Sequence, residues 1–555
     1  MNDDRSSVRG RLESTVNHLC GAIGPRPPGS EAERRSAGWI AEQLAGLGYE
    51  PVLEEFDCPA HGAEAACLTG LGEDLPIWPT QHSPTGRVTG RLQWLGFGEE
   101  HLRGDLAGKI GVLLADGSLT QRNRLMERLE SAGLAGAIVA GPYADSVTGK
   151  AVRPGNAERM LAATVSVRTA RRLAGHFGRQ ATLEITGDRP TPAGTSQNVV
   201  AALPGDGPNT LVVCAHYDTA ACSGGALDNA SGTALLLELA RQLAGRQLQA
   251  TVLLVATGAE EFGADDACGL GAKDLFARRI DGLGHLIGCF AVDAVGDRLG
   301  VRHLRVAGPA PFRSAVPTFP NVARTDRRMT SCDAGSAYHF GLASVSMIDE
   351  YVHSPYFHGP EDTPELLDFD AMVEMLGVCG EIVAALASQP PPQRHVRSGE
   401  LLVRPARWDD IGAMCEITRE AFGPYSLYRM REEFFGEPLG GQTWDHHKAQ
   451  AIRDGARRAL DWHVVAEIGG QVVGYASYLL DGDRQIAHVG NNAVRCAFQR
   501  RGIAKAMQRE VMARFAEEGF GRWSVATLEN DVPAQKLYAG MGFREITRMI
   551  TYLRK

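Results

Sequence analysis

The chain has 555 residues, a formal net charge of −9, and is 44% apolar and 22% charged. That length exceeds what one hydrophobic core organises, so about three domains are expected. The composition is ordinary for a globular protein and lacks the Lys/Arg-dense stripe that a nucleic-acid partner would need. The opening stretch MNDDRSSVRGRLESTVNHLCG is polar and acidic, without the apolar core of a secretion signal. No apolar run reaches about 18 residues, so no membrane partner is expected. The eleven cysteines are scattered singly with no CxxC pair, which predicts reduced thiols and a cytoplasmic protein.

Residues 8–48 carry two helical patterns separated by the breaker GPRPPGS, Gly24 to Ser30. The second, EAERRSAGWIAEQLAGLGYE, repeats apolar residues at helical spacing and then meets a glycine. EPVLEEF follows as a strand. From 83 to 192 the character changes to short strand-like runs, GRLQWLG, GKIGVLLADG, AGAIVAG and ATVSVR, with a helix at QRNRLMERLESAG. This stretch has no cluster of His or carboxylates suited to catalysis and reads as an inserted β-rich module. Strand and helix alternation resumes at SQNVVAALPG and runs to 387. Residues 388–399, within SQPPPQRHVRSGE, read as an extended linker. The expected divisions are therefore 1–82, 83–192, 193–387, the linker, and 400–555.

Five potential metal ligands lie in the first two-thirds of the chain: His216, Asp228, Glu261, Asp293 and His358. Three of them close or follow apolar, β-branched runs: TLVVCAH, ATVLLVATGAEE and LIGCFAVDAVG. Such runs predict buried parallel strands, whose carboxyl ends share one crevice. Asp218, two positions after His216, is a partner for the second nitrogen of that imidazole. Asp228 lies in GALDNASG just before an apolar helix, and a carboxylate in that position can face a cavity and bridge two cations. Adjacent residues at a strand end point different ways, so of Glu260 and Glu261 one can bind metal while the other accepts a proton from water. His358, in FHGPEDTPE, is preferred to His353 because Asp362–Thr363 follow at a fitting distance. Two His and three carboxylates suit zinc, and a shared carboxylate suits two metal ions.

The order and contexts of IGPRPPGSEAE, AHYD, DNASG, AEE, the Asp293 motif and the HxxxDT element at His358 to Thr363 resemble the M28 family of metallo-aminopeptidases over residues 8–388. The resemblance implies a three-layer α/β/α sandwich holding two Zn2+, with Asp228 bridging them. It implies His216 and Asp293 on one ion, Glu261 and His358 on the other, and Glu260 as general base. Residues 83–192 then look like the protease-associated (PA) domain of some family members. Tyr338 is the candidate for a tyrosine that steadies the tetrahedral intermediate in some relatives. Relatives of this fold also include carboxypeptidases, N-acyl amino acid hydrolases, glutaminyl cyclases and non-catalytic receptors, so the reaction stays open at this point.

Beyond the linker, DWHVVAEIGGQVVGYASYLL alternates apolar and polar residues around Gly469–Gly470, a hairpin signal. IAHVGNNAV is a further strand. It leads into Gln499-x-x-Gly502-x-Ala504, which opens an amphipathic helix whose N-terminus favours a pyrophosphate. Together with WSVATLENDVPAQKLYAGMGF, read as strand, short helix and closing strand, residues 400–555 resemble the GNAT acetyltransferases, an α+β fold. That resemblance implies acetyl-CoA as co-substrate and an amine as acceptor. Backbone at Val494 and Cys496 would meet the pantetheine, Arg500, Arg501, Gly502, Ile503 and Ala504 would cradle the pyrophosphate, and Tyr538 would protonate the leaving thiolate. Asp531 stands where the family often has Asn. The whole chain is expected to be a bifunctional enzyme acting on a peptide or amino acid conjugate and on an amine.

Overall fold

Three β-sheets organise the computed structural model, which describes residues 4–554 apart from 60–62, 81–82, 99–104, 115–118, 142–146, 148–159, 188–193, 263–268, 280–281, 283–284, 327–331, 351–355 and 392–395. The largest has eight strands in the order Val52–Asp57, Thr195–Leu203, Thr251–Thr257, Thr210–His216, Leu286–Asp293, Ser344–Glu350, Val301–Ala307 and Ala323–Asp326. Its centre is parallel. Thr210–His216 lies between Thr251–Thr257 and Leu286–Asp293, and the latter pairs onward with Ser344–Glu350.

The strand Thr210–His216 explains why those runs are apolar throughout. Leu211, Val213 and Ala215 face one layer, with Leu12 of helix Arg5–Asn17, Ile40 of Glu31–Gly46, Leu235 of Gly232–Leu243 and Met375 of Phe369–Leu386. Val212 and Cys214 face the other, with Phe276 of helix Leu270–Ala277 and Ala337 of Cys332–His339. A strand covered on both faces cannot alternate apolar with polar. The expected α/β/α sandwich is what forms, and the ligand-bearing strand ends share its carboxyl rim.

Residues Ala63–Gly187 form a second sheet of seven strands, bracketed by Val52–Asp57 and Thr195–Leu203 of the first sheet. Those two are antiparallel neighbours, with Asp57 opposite Thr195, so the chain leaves and re-enters the main sheet at one point. That is how a large insertion is accommodated without disturbing the surrounding core. The insert begins earlier than 83: Ala63–Thr69 pairs with Gln180–Gly187, and Trp78–Pro79 pairs with Leu161–Val165. AEAACLT has exposed residues and a partner far along the chain, so nothing local announces its sheet.

The third sheet runs Val396–Ser398, Leu401–Pro405, His463–Ile468, Gln471–Asp481, Ile486–Val494 and Trp523–Val525. Val396–Ser398, expected as linker, is instead its edge strand. The hairpin turn at Gly469–Gly470 has both glycines left-handed, as a tight hairpin requires. The expected closing strand near Phe543 is not formed: residues 543–554 carry no regular structure, and Ile546, Met549, Ile550 and Tyr552 are exposed. This unit packs directly on the first. Ile411, Met414 and Leu460 share a buried cluster with Ala334, Ala337 and Tyr338, and the rings of His339 and Trp408 stack at 4.1 Å. Arg313 donates to both carboxylate oxygens of Glu518 at 3.0 and 2.7 Å across the same junction.

Candidate metal centre and transfer cleft

His216 is the last residue of its strand and Asp293 the last of Leu286–Asp293. Glu260 and Glu261 begin a short turn of helix just past Thr251–Thr257, and Asp228 lies in the turn ahead of Gly232–Leu243. His216 Nε2 is 3.0 Å from Asp228 Oδ1 and 3.3 Å from Asp293 Oδ1. His358 Nε2 is 2.9 Å from Asp228 Oδ2 and 3.2 Å from Glu261 Oε1. Asp228 thus presents one oxygen to each of two groups of three, and within each group the ligand atoms all lie within 4.8 Å of one another. The five ligand candidates are brought together, and the donors are of the kind that zinc accepts.

The electrostatics fit a cation site. Burial opposes a charged His216, yet the surrounding carboxylates of Asp218, Asp228 and Asp293 raise its pKa well above the ordinary value. Asp228 is held far below the usual carboxylate range, against its burial, by His216 and His358. Binding of a metal ion would displace the proton that these contacts favour on His216.

A frame of buried side chains fixes the rim. Asp218 lies 3.5 Å from His216 Nδ1 and accepts the backbone N–H groups of Glu260 at 3.0 Å and Glu261 at 2.9 Å. One carboxylate therefore orients an imidazole and the glutamate turn together. Asp362 accepts the N–H of Leu227 at 2.7 Å and of Asp228 at 3.1 Å; burial pushes its pKa up to about 7. Asn229 donates to Val292 O and accepts from Gly232 and Ala294, tying the Asp228 turn to the end of the Asp293 strand. Left-handed backbone at Ala259, Ala294 and His358, with φ of 50°, 46° and 60°, lies beside or at ligands. Such strain persists where the surroundings over-determine the conformation. Glu261 is buried and Glu260 only half-buried, so the adjacent pair occupies two environments.

Arg26 and Glu33, from the IGPRPPGSEAE segment, are buried behind this rim, in a role that the local pattern of the segment does not announce. Arg26 donates to the carbonyls of Leu19, Gly24, Tyr217, Gly224 and Gly225, pinning the loop between Tyr217 and Asp228. Glu33 accepts from Ser196 Oγ at 2.7 Å, Gly29 N–H at 2.6 Å and Ala259 N–H at 3.0 Å. Burial, with Asp218 nearby, pushes its pKa up to about 8. The S-x-x-E spacing of Ser30 and Glu33 is a capping-box signal that places Glu33 in the first turn of a helix. It could not have revealed the reach to Ala259. Tyr338 is not at the rim: its hydroxyl donates to Asp461 Oδ1 at 2.8 Å, in the junction with the third sheet's unit. His353 lies outside the described residues.

In the C-terminal unit, helix Ile503–Glu517 starts after left-handed Arg500 and Gly502, with φ of 62° and 80°. Arg500, Arg501 and Gly502 are exposed at that N-terminus, beside Ile503 and Ala504 of the first turn, where backbone N–H groups favour an anion. Arg501 is anchored over the Phe498 ring at 5.1 Å. Val494 closes Ile486–Val494 opposite Gly474, and its carbonyl accepts from Gln499. The Cys496 N–H, expected to meet a pantetheine, donates instead to Glu420 Oε1. Tyr538, in helix Val532–Ala539, is buried beside the Asn492 side chain, and burial pushes its pKa up to about 12. Its hydroxyl is therefore protonated at neutral pH. Asp531 accepts the Ala534 N–H at 3.1 Å and caps this helix, a task Asp and Asn perform equally.

Comparison with known proteins divides the chain in the same way. The profile of peptidase family M28 matches residues 198–299, and that of the acetyltransferase (GNAT) family matches residues 425–543. Aminopeptidase YwaD of Bacillus subtilis (strain 168) is 30% identical over 257 residues, 45% of this chain and 54% of that protein. The chain therefore spans about half the length of this curated relative. The structure of BSAP, a zinc aminopeptidase from Bacillus subtilis, superposes with a TM-score of 0.57 at 25% identity, covering 68% of this chain and 93% of that one. The peptidase M28 precursor from Shewanella amazonensis SB2B shares the fold, with a TM-score of 0.59 at 17% identity over 71% of this chain and 98% of its own. Within one chain, a region matching peptidase family M28 is thus followed by a region matching the acetyltransferase (GNAT) family.

Proposed function

We propose that the chain is a bifunctional enzyme: a two-zinc aminopeptidase that removes N-terminal residues from peptides, joined to an acetyl-CoA-dependent N-acetyltransferase. The observation that carries the first half is Asp228, whose two carboxylate oxygens face two separate ligand groups. His216, Asp228 and Asp293 would hold one ion, and Asp228, Glu261 and His358 the other. When bound, such a pair supplies Lewis acidity to the scissile carbonyl and makes water acidic enough to ionise near neutral pH. Glu260 takes the proton of the attacking water and delivers it to the departing nitrogen, so that water adds across the broken C–N bond. Asp218 holds the turn that aims Glu260. Val147, between two strands of the insert, lies near the His358 loop: a Cβ at Gly359 would be 3.5 Å from its carbonyl oxygen. A PA-like role in shaping substrate access fits that contact.

In the second half the amine nitrogen attacks the acetyl thioester carbonyl and the C–S bond breaks. The thiolate takes the Tyr538 proton, and the surplus proton on nitrogen, passed through solvent, restores the neutral Tyr538 hydroxyl. The exposed N-terminus of Ile503–Glu517, with Arg500 and Arg501, supports pyrophosphate binding. The free thiols of the described cysteines and a need for acetyl-CoA both fit a cytoplasmic setting. The test is a pair of assays on the zinc-loaded full chain. Aminoacyl-nitroanilides should be cleaved, with activity lost to a chelator and restored by zinc. Preference for N-acylated amino acids would select an acylase, and inertness toward all of these would sink the hydrolase. Calorimetry with acetyl-CoA should show binding, and none at millimolar ligand would sink the transferase.

A further inference from the structure

Strand Ile486–Val494 pairs with Trp523–Val525 only from Ala487 to Val489. Beyond Val489 its edge is therefore open on that side, among the described residues, and an acyl donor lying along it meets both faces of the sheet. Asn491 and Asn492 are consecutive there, so their side chains take opposite faces. Asn492 stands by Tyr538, on the face where the thiolate would be protonated. On the other face Lys448, from helix Trp444–Arg458, donates to Asn491 Oδ1 at 2.6 Å.

Lys448 is unusual in its company. Its ammonium lies 4.6 Å from the centre of the Phe422 ring and 5.9 Å from that of Tyr428. Asn491 is its hydrogen-bond partner, and no carboxylate among the described residues pairs with it. Its neighbour Asp445 is turned toward Arg419, at 3.6 Å. Burial alone lowers the Lys448 pKa, with no charged neighbour contributing. Taking a cation out of water among aromatic rings and one amide is costly, and an incoming anion recovers that cost. The walls come from separate elements: Phe422 ends helix Asp410–Ala421, Tyr428 lies on Leu427–Phe435, and Asn530 ties the loop between them to the Tyr538 side through Pro424 O at 2.9 Å.

We infer that Lys448 anchors a carboxylate on the acetyl acceptor, so that the acceptor is a free α-amino acid rather than a simple amine. The inference rests on the acetyltransferase reading and sharpens it. It also gives the fusion a chemical order. Cleavage of a peptide's N-terminal residue yields a molecule with an α-amine and a carboxylate, the two groups that acetylation at an edge with a Lys448 anchor would use. The first half is then the class of reaction that supplies the second.

The experiment follows release of the CoA thiol from acetyl-CoA by the full chain, with free L-amino acids and the corresponding amino acid amides as acceptors. The wild type should favour the acids in kcat/KM by about tenfold or more, the worth of one charge-assisted hydrogen bond. Lys448→Met should bring the acid-to-amide ratio near one, with acetyl-CoA affinity by calorimetry unaltered, and Lys448→Arg should keep part of the preference. Equal use of acids and amides by the wild type would overturn the proposal even if the variants failed to fold. So would an unchanged ratio in Lys448→Met, or acetyl-CoA binding with no acid acetylated. Absence of acetyl-CoA binding would instead overturn the transferase reading beneath it.

Discussion

The metal rim of the first unit and the cleft of the C-terminal unit are built from different materials. At the rim nearly every working atom belongs to a side chain. Those side chains are buried and held by groups distant in sequence: Asp218 on the Glu260–Glu261 turn, Asp362 on the Asp228 turn, Glu33 on Ala259. In the cleft the expected co-substrate contacts are mostly backbone, at the open edge of Ile486–Val494 and the exposed start of Ile503–Glu517. Side-chain chemistry demands particular residues, whereas backbone chemistry demands only a shape. On the proposed readings, the first site should tolerate little substitution, and the second should tolerate much outside Tyr538 and Lys448.

That contrast can be broken by measurement. The largest effect expected is from Glu260→Gln, which should cut peptide hydrolysis by about 10²–10⁴-fold. Bound zinc should be retained and acetyl transfer unchanged; a loss of zinc would make Glu260 a ligand rather than a base. Tyr538→Phe should lower acetyl transfer by about 10²-fold and spare hydrolysis. With its pKa pushed up to about 12, Tyr538 stays protonated through neutral and mildly alkaline pH. Its contribution should thus persist up to about pH 10, and a fall between pH 7 and 9 that Tyr538→Phe removes would contradict the assignment.

Asp218→Asn should weaken zinc binding by about 10–100-fold in competition with a chelator, because the imidazole and the glutamate turn lose a common support. An unchanged affinity would mean that the backbone alone holds the turn. The smallest effect concerns Glu33, whose pKa is raised on folding from 4.5 to about 8. The folded chain keeps a proton that the unfolded chain has released. Its contribution to stability is full below about pH 4.5 and is lost as pH rises through about 8. Denaturant unfolding of metal-free protein should show stability falling across that window, and Glu33→Gln should flatten the slope. A slope unaffected by the substitution would assign the proton elsewhere.

The sequence alone determined a good deal about this protein. Apolar runs ending in His216, Glu261 and Asp293 named both the parallel strands and the residues at their carboxyl ends, because a strand covered on both faces has no polar residues until it emerges. The alternation on either side of Gly469–Gly470 likewise fixed a hairpin. Other features were decided only by tertiary structure. Arg26 and Glu33 sit about 190 and 230 positions before the backbone groups they hold, at Tyr217 and Ala259, and no local pattern reports such a reach. The insert starts at Ala63 because its first strand pairs with Gln180–Gly187, and Val396–Ser398 is a strand because Leu401–Pro405 lies beside it. Tyr338 and Cys496 show the same rule from the other side. Each had a role in prospect by its neighbours in sequence, and each is taken by a partner far along the chain, Asp461 and Glu420. Local pattern specifies which residues emerge together at a strand end, and packing alone specifies what they then meet.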